Sequence, residues 1–490
     1  MMKMKAARRI AFGVILLTAA AGSILLLDRS DRSVSTTMAS RGALVDITGR
    51  ALTENRESWQ AALNVATLRR LDAAAQRTFL DALSAKLGLP ADRIPRLDDR
   101  RYVQELHLPV RMAAEQRDEV QRWLAASEWS AHRPALLRFI AVPERVYPLH
   151  DASAALVGMV DSTGFGIEGL ERALDRRLSA GESVRLTVDI DLQARISTLL
   201  EEVRSQRGMT GASAVVMDLE NGLVATIASV PGFDPADLAQ RVGRNVQLHA
   251  VTQAFQAGPM LEPFLMHGVF VRRPESDAAL ASCPDLVAQF AGHADVLDHL
   301  QRVGLLGAPD VDFPGSISTL VRRTGTEAEL LRDLGNGAGI APSLLQYSAA
   351  LASLIEGVPT RPVRLVADSN EAIAPPDGAA VASGASRSLR AALVERARLR
   401  SGDAAADFGG LWAAYRDRVD SGVGVGRAAL ALFTPADSPN YLVTVTLEGE
   451  PLLSEQEVLA LGRRVLGLVD AARPAAKFQA RRGTSLASRS

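Results

Sequence analysis

The chain has 490 residues, 47% hydrophobic and 23% charged, enough for two or three domains with substantial cores. A formal net charge of −1 gives no electrostatic reason to expect nucleic acid as a partner. The single cysteine, Cys283, excludes an internal disulfide framework.

Residues 1–9 carry Lys3, Lys5, Arg8 and Arg9 and read as cytoplasmic. They precede an uncharged apolar run over residues 10–27, about the minimum length of a membrane-spanning helix. Basic residues before the run and Asp28 after it predict a single-pass anchor with the bulk of the chain beyond the membrane. Ala19-Ala20-Ala21 would also suit cleavage of a signal peptide, but Ile24-Leu25-Leu26-Leu27 carries the apolar run past that site and favours an uncleaved anchor. Polar residues 28–40 read as a linker. A first α+β unit is expected over residues 41–185. It opens on a strand-like alternation closed by Thr48-Gly49, and helical periodicity follows over residues 59–89 and 112–126.

The second unit is expected over residues 186–472. Residues 213–218 and 223–229 read as two strands joined by the Asn221-Gly222 turn. A later strand pair is expected at 428–433 and 441–447, and helices at 343–356 and 454–472. The last residues, 473–490, carry Arg473, Lys477, Arg481, Arg482 and Arg489 among Ser and Ala and read as a basic, disordered tail.

Several short patterns recur in a recognisable order. Arg41-Gly42 with Asp46 and Gly49, then Arg145-Val146-Tyr147-Pro148, then Gly166-Ile167-Glu168-Gly169-Leu170-Glu171, resemble R-G-x-I-x-D-x-x-G, R-x-Y-P and G-x-x-G-[LI]-E. Leu186-Thr187-Val188-Asp189 followed by Leu192-Gln193 resembles L-T-[IV]-D-x-x-L-Q, and Phe433 to Pro439 resembles F-x-P-A-x-x-P. Their order and spacing resemble the class B penicillin-binding proteins, the peptidoglycan D,D-transpeptidases of division and elongation. The resemblance implies a pedestal, or dimerisation, domain over 41–185. It also implies a transpeptidase-like domain over 186–472, an antiparallel sheet flanked by helices.

The family's chemistry requires S-x-x-K, in which lysine activates the serine, backed by S-x-N and K-[ST]-G. Between Lys86 and Lys477 this chain contains no lysine. The stretch from His249 to Phe264 lines up with the family segment ending E-P-G-S-T-x-K-P, which puts Pro259 at the serine position and Glu262 at the lysine position. Proline offers neither a nucleophile nor the N–H that would help bind an oxyanion, yet it is tolerated in the first turn of a helix. Ser282-Cys283-Pro284 falls where S-x-N is expected, and Arg400-Ser401-Gly402 is the candidate for K-[ST]-G.

Two other sets of residues carry chemically capable side chains. Cys283 with His249 or His293 could form a thiol nucleophile, but a solitary cysteine more often packs as a small hydrophobe. His293, Asp295, Asp298 and His299 match no tight ligand spacing and read as a helix surface rather than a metal site. No cofactor or metal is expected. The favoured reading is a degenerate, non-catalytic relative in the inner membrane, with its bulk periplasmic and a binding or scaffolding role in peptidoglycan synthesis and cell division. The resemblance implies a SEDS-type glycan polymerase or other division or elongation components as partners, and a peptidoglycan stem peptide as a possible ligand. The alternative is an active transpeptidase or hydrolase with a displaced catalytic set drawn from Ser282, Cys283 or Glu262.

Overall fold

A computed structural model describes residues 40–89, 104–132, 136–237, 246–360, 363–367, 383–403, 406–417 and 424–486. The expected anchor over residues 10–27 lies outside them, and no helix among the described residues is long and apolar enough to cross a membrane. Residues 41–490 form one compact unit.

The first strand, β1 (Leu44–Val45), is only two residues long because the chain turns at once. The Asp46 carboxylate accepts from the backbone N–H of Thr48 and of Arg50, each at 2.8 Å. β2 (Glu54–Asn64) follows and occupies residues 59–64, where the sequence reads as helix. Ala, Gln and Leu are permissive, and here β2 is the central strand of a three-stranded antiparallel sheet between β3 (Glu105–Met112) and β4 (Leu137–Val146). Ladder pairing on both sides overrides the local preference. Helix α1 (Ala73–Leu87) starts where Asp72 caps the N–H groups of Ala74 and Ala75, and ends at Gly88 in the left-handed conformation. Together with α2 (Ala114–Ala126) it covers one face of the sheet, with Phe79, Trp123 and Trp129 packed ring against ring.

β5 (Val184–Arg185) returns to pair in parallel with β1. The chain then enters α3 (Ile190–Arg207), capped by Asp189. Gln193 on α3 is buried; its Nε2 donates to the Ile227 carbonyl at 3.0 Å and its Oε1 accepts from the Ile227 N–H at 3.1 Å. That exchange ties α3 to the main sheet.

The expected hairpin forms as β6 (Met209–Asp218) and β7 (Leu223–Val230). After them come α4 (Glu262–Arg272), α5 (Cys283–Val287), α6 (His293–Arg302), the short pair β8 (Leu320–Val321) and β9 (Ile340–Ala341), α7 (Glu327–Gly335) between those two strands, and α8 (Leu344–Glu356). α9 (Ser383–Ser401) leads into β10 (Gly409–Arg416), β11 (Gly426–Thr434), β12 (Tyr441–Gly449) and α10 (Glu455–Leu486). The main sheet is antiparallel throughout, in the order β10-β11-β12-β6-β7. Two apolar layers sandwich it. α4 and α8 pack on one face; α3 and α10 pack on the other. α10 continues through residues 473–486, within the stretch whose composition reads as a disordered tail.

Candidate functional site: the turn at Pro259

Gly258, Pro259, Met260 and Leu261 form a single tight turn that feeds directly into α4. Proline fits because its fixed φ matches the first helical positions, where an N–H has no intrahelical partner. The turn is held from several sides. Gly258 donates its N–H to the Gly337 carbonyl at 2.8 Å, and a Cβ on Gly337 would lie 2.1 Å from the Gly258 carbonyl oxygen. The buried Tyr347 hydroxyl of α8 donates to the Met260 carbonyl at 2.9 Å. Tyr415, at the end of β10, donates its hydroxyl to the Gln256 carbonyl at 2.7 Å. Its ring leaves no room for a side chain at position 258, since a Cβ there would come within 2.5 Å of it.

Glu262 begins α4 and forms an ion pair with Arg396 of α9. The Arg396 guanidinium also donates to the carbonyl of Ala279 at 3.0 Å and of Ala281 at 2.9 Å. Both charged side chains are largely buried, 15% and 8% exposed. Burial pushes the Glu262 carboxyl above the ordinary glutamate range, opposed by the nearby cations Arg396 and Arg400. Burial likewise raises the phenols of Tyr347 and Tyr415, so all three groups resist deprotonation. The region beside Pro259 is thus packed with Tyr347, Tyr415 and the Glu262–Arg396 pair.

The remaining candidates disperse around this centre. Ser282 is the N-cap of α5 in a capping box with Asp285, whose carboxylate accepts from the Ser282 backbone N–H at 3.3 Å and from its hydroxyl at 2.5 Å, a structural role at a helix start. Cys283 is buried against the apolar core, and burial next to the Glu262 carboxylate drives its thiol far up, away from the thiolate a nucleophile requires. Pro284 packs on Gly335, where an added Cβ would sit 3.2 Å from the Pro284 Cα. Arg400-Ser401-Gly402 closes the end of α9: Arg400 pairs with Glu455 at 2.8 Å and lies over the Trp412 ring, and Gly402 takes a φ of 68°. The side chain that packs over the start of the Pro259 turn from β10 is Tyr415, outside the motifs read from the sequence.

His249 opens a short helix and lines a cavity of about 20 Å³ with Gln253, Arg427 and Glu448, roughly the room for one water molecule. The four residues weighed as metal ligands are engaged separately. The His293 backbone N–H donates to Glu327 at 2.6 Å, Asp295 pairs with Arg272 at 2.6 Å, Asp298 lies 3.4 Å from Arg302, and the His299 ring faces the Phe264 carbonyl at 3.0 Å. No cluster of three or more potential ligands occurs among the described residues. Arg396, Tyr347 and Tyr415 could not be foreseen from spacing, because none lies near the motif they fill in sequence. The Gly337 contact left a faint signal in the glycine pair of Asn336-Gly337-Ala338-Gly339.

No protein-family model matches the chain. A probable peptidoglycan D,D-transpeptidase FtsI from Caulobacter vibrioides is 36% identical over 95 residues, 18% of this chain and 16% of that protein. A peptidoglycan D,D-transpeptidase FtsI homolog from Nephroselmis olivacea is 23% identical over 161 residues, 26% of this chain and 23% of that protein. The Escherichia coli K12 peptidoglycan D,D-transpeptidase FtsI is 23% identical over 148 residues, a quarter (25%) of each chain. The matches therefore span about a quarter or less of these relatives' own length. Among solved structures, a peptidoglycan synthetase from Bifidobacterium adolescentis superimposes with a TM-score of 0.62 over 90% of this chain and 96% of its own, at 14% identity, a likeness of fold. With the ordered motifs, the antiparallel sheet between helical layers and these likenesses together, the chain is a class B penicillin-binding-protein-like protein.

Proposed function

We propose that this protein is a catalytically degenerate penicillin-binding-protein relative that serves peptidoglycan synthesis and cell division by binding rather than by acyl transfer. One observation supports the reading: the residues that the motif resemblance aligns with the family nucleophile and lysine are Pro259 and Glu262, and Glu262 is ion-paired with Arg396 inside packed protein. Proline supplies no attacking atom and no oxyanion donor, and loss of one such donor alone costs about 10²–10³ in rate. Ser282 and Cys283 offer no replacement, one occupied as a helix cap and the other buried as a thiol. What such a chain retains is surface. A membrane anchor over residues 10–27 would place it in the inner membrane with its bulk periplasmic, where a SEDS-type glycan polymerase or another division or elongation component is the expected partner. Stem-peptide binding without turnover is compatible with the same reading.

The test is labelling of the full-length, detergent-solubilised protein with a fluorescent β-lactam, read by intact mass beside an active transpeptidase. The active protein should gain one adduct and this protein none. A stoichiometric adduct here would overturn the proposal, and peptide mapping would name the nucleophile.

A further inference from the structure

Arg396 draws together three segments that sequence separates widely. From α9 its guanidinium meets Glu262 at the start of α4, 134 residues earlier, and the carbonyls of Ala279 and Ala281 just before α5. The segment it grips carries two of the degenerate second-motif residues, Ser282 and Pro284, with the buried Cys283 between them. Along that segment Leu280 is 63% exposed, and Ser282, Pro284 and Asp285 are exposed as well. Arg396 anchors it from inside at two points, the Ala279 and Ala281 carbonyls.

We propose that the Glu262–Arg396 pair with the Ala279 and Ala281 carbonyls is a latch that holds the segment from Ala279 to α5 against the start of α4, an internal contact built on the position of the family lysine. This rests on the degenerate reading above, since the latch occupies ground that a reacting lysine would need. The physical logic is a planar fork satisfying three acceptors at once, a task suited to arginine and poorly matched by the compact lysine ammonium. Without the fork, two backbone carbonyls and a buried carboxylate lose their donors together, and local opening of the segment becomes easier.

The lone cysteine supplies the readout. Cys283 lies within the gripped segment and is buried, so its labelling by a maleimide in the native full-length protein reports how often the segment opens. Arg396→Met should speed labelling about tenfold or more, the effect of losing charged hydrogen bonds from a buried site. Arg396→Lys should fall between wild type and Arg396→Met. The exchange Glu262→Arg with Arg396→Glu should be slower than either single charge change, because it restores an ion pair. Circular dichroism melts establish that each variant is folded at the labelling temperature, and the Lys variant keeps the test open if Met proves unfolded. Labelling of folded Arg396→Met or Arg396→Lys at the wild-type rate would overturn the latch. The rate reads the latch whether or not a β-lactam adduct forms, so its failure and that of the degenerate reading remain separate.

Discussion

His150 is the one non-glycine with positive φ among the described residues, at φ 46° and ψ −124°. It sits at the second position of a turn closed by the Ala152 N–H donating to the Leu149 carbonyl at 3.0 Å, the geometry of a type II′ turn that favours glycine there. A non-glycine in such a conformation costs about 1–3 kcal/mol, part of which glycine would give back as lost chain entropy. His150→Gly is therefore expected to stabilise the protein by about 1 kcal/mol in denaturant unfolding. An unchanged or lower midpoint would show that the turn is not strained. At this scale the sequence was readable where chemistry is local. Pro259 and the absence of lysine speak for themselves, as does Ser282 three residues before Asp285. Arg396 was silent, because nothing near it in sequence hints at Glu262.

Between elements, α4 and α6 meet through His267 and His299, both buried, with rings stacked 5.5 Å apart. Neither ring nitrogen of His267 has a hydrogen-bond partner among the described residues. Burial lowers His267 to about 4 and His299 to about 3, and Arg272 and Arg302 further oppose a charge on His299. Above the ordinary histidine value, near pH 6.5, both states are neutral and the pair adds no pH dependence to stability. As pH falls below that, the unfolded chain takes up protons that the folded protein refuses, so stability is lost progressively towards about pH 4 for His267 and about pH 3 for His299. The slope should approach about 1.4 kcal/mol per pH unit for each histidine. His267→Leu should flatten the profile between pH 6 and about pH 4 relative to wild type. Parallel profiles would contradict the buried neutral pair. Legibility at this scale was uneven. The hairpin β6–β7 and the pair β11–β12 were visible from apolar runs and the turns between them. β2 was not, because its composition is indifferent and only its partners β3 and β4 make it a strand. The triplet Arg400-Ser401-Gly402 likewise matched a pattern of letters, while its position at a helix end depends on α9 and β10 as packed.

Across the molecule, the family-like motifs of the N-terminal half converge on one buried carboxylate. Glu171 is fully buried and pairs with Arg41 at 2.7 Å and Arg145 at 2.7 Å, and Arg145 also donates to the Gly42 carbonyl and to Thr53. Gly166 of the same motif lies so close that a Cβ would come within 2.0 Å of the Glu171 carbonyl oxygen. The segment at Arg41-Gly42, β4 and the short helix Gly169–Ala173 are thus fastened at one point. Glu171→Ala would leave the buried Arg145 guanidinium without its carboxylate, while Arg41 keeps Asp175 at 2.7 Å, and is expected to cost about 3–5 kcal/mol in unfolding free energy. A loss below about 1 kcal/mol would mean that solvent or another group compensates. From sequence alone came the order of the motifs, the main hairpins, and the conclusion that no lysine between residues 87 and 476 can activate a serine, because these depend on residue identity and near-neighbour spacing. Only the tertiary structure decided what fills the vacated site, which strand's side chain packs over it, and why Arg41, Arg145 and Glu171 recur together. Those contacts join residues up to 134 apart, and burial, which sets their charge states and their worth, is a property of the packed chain.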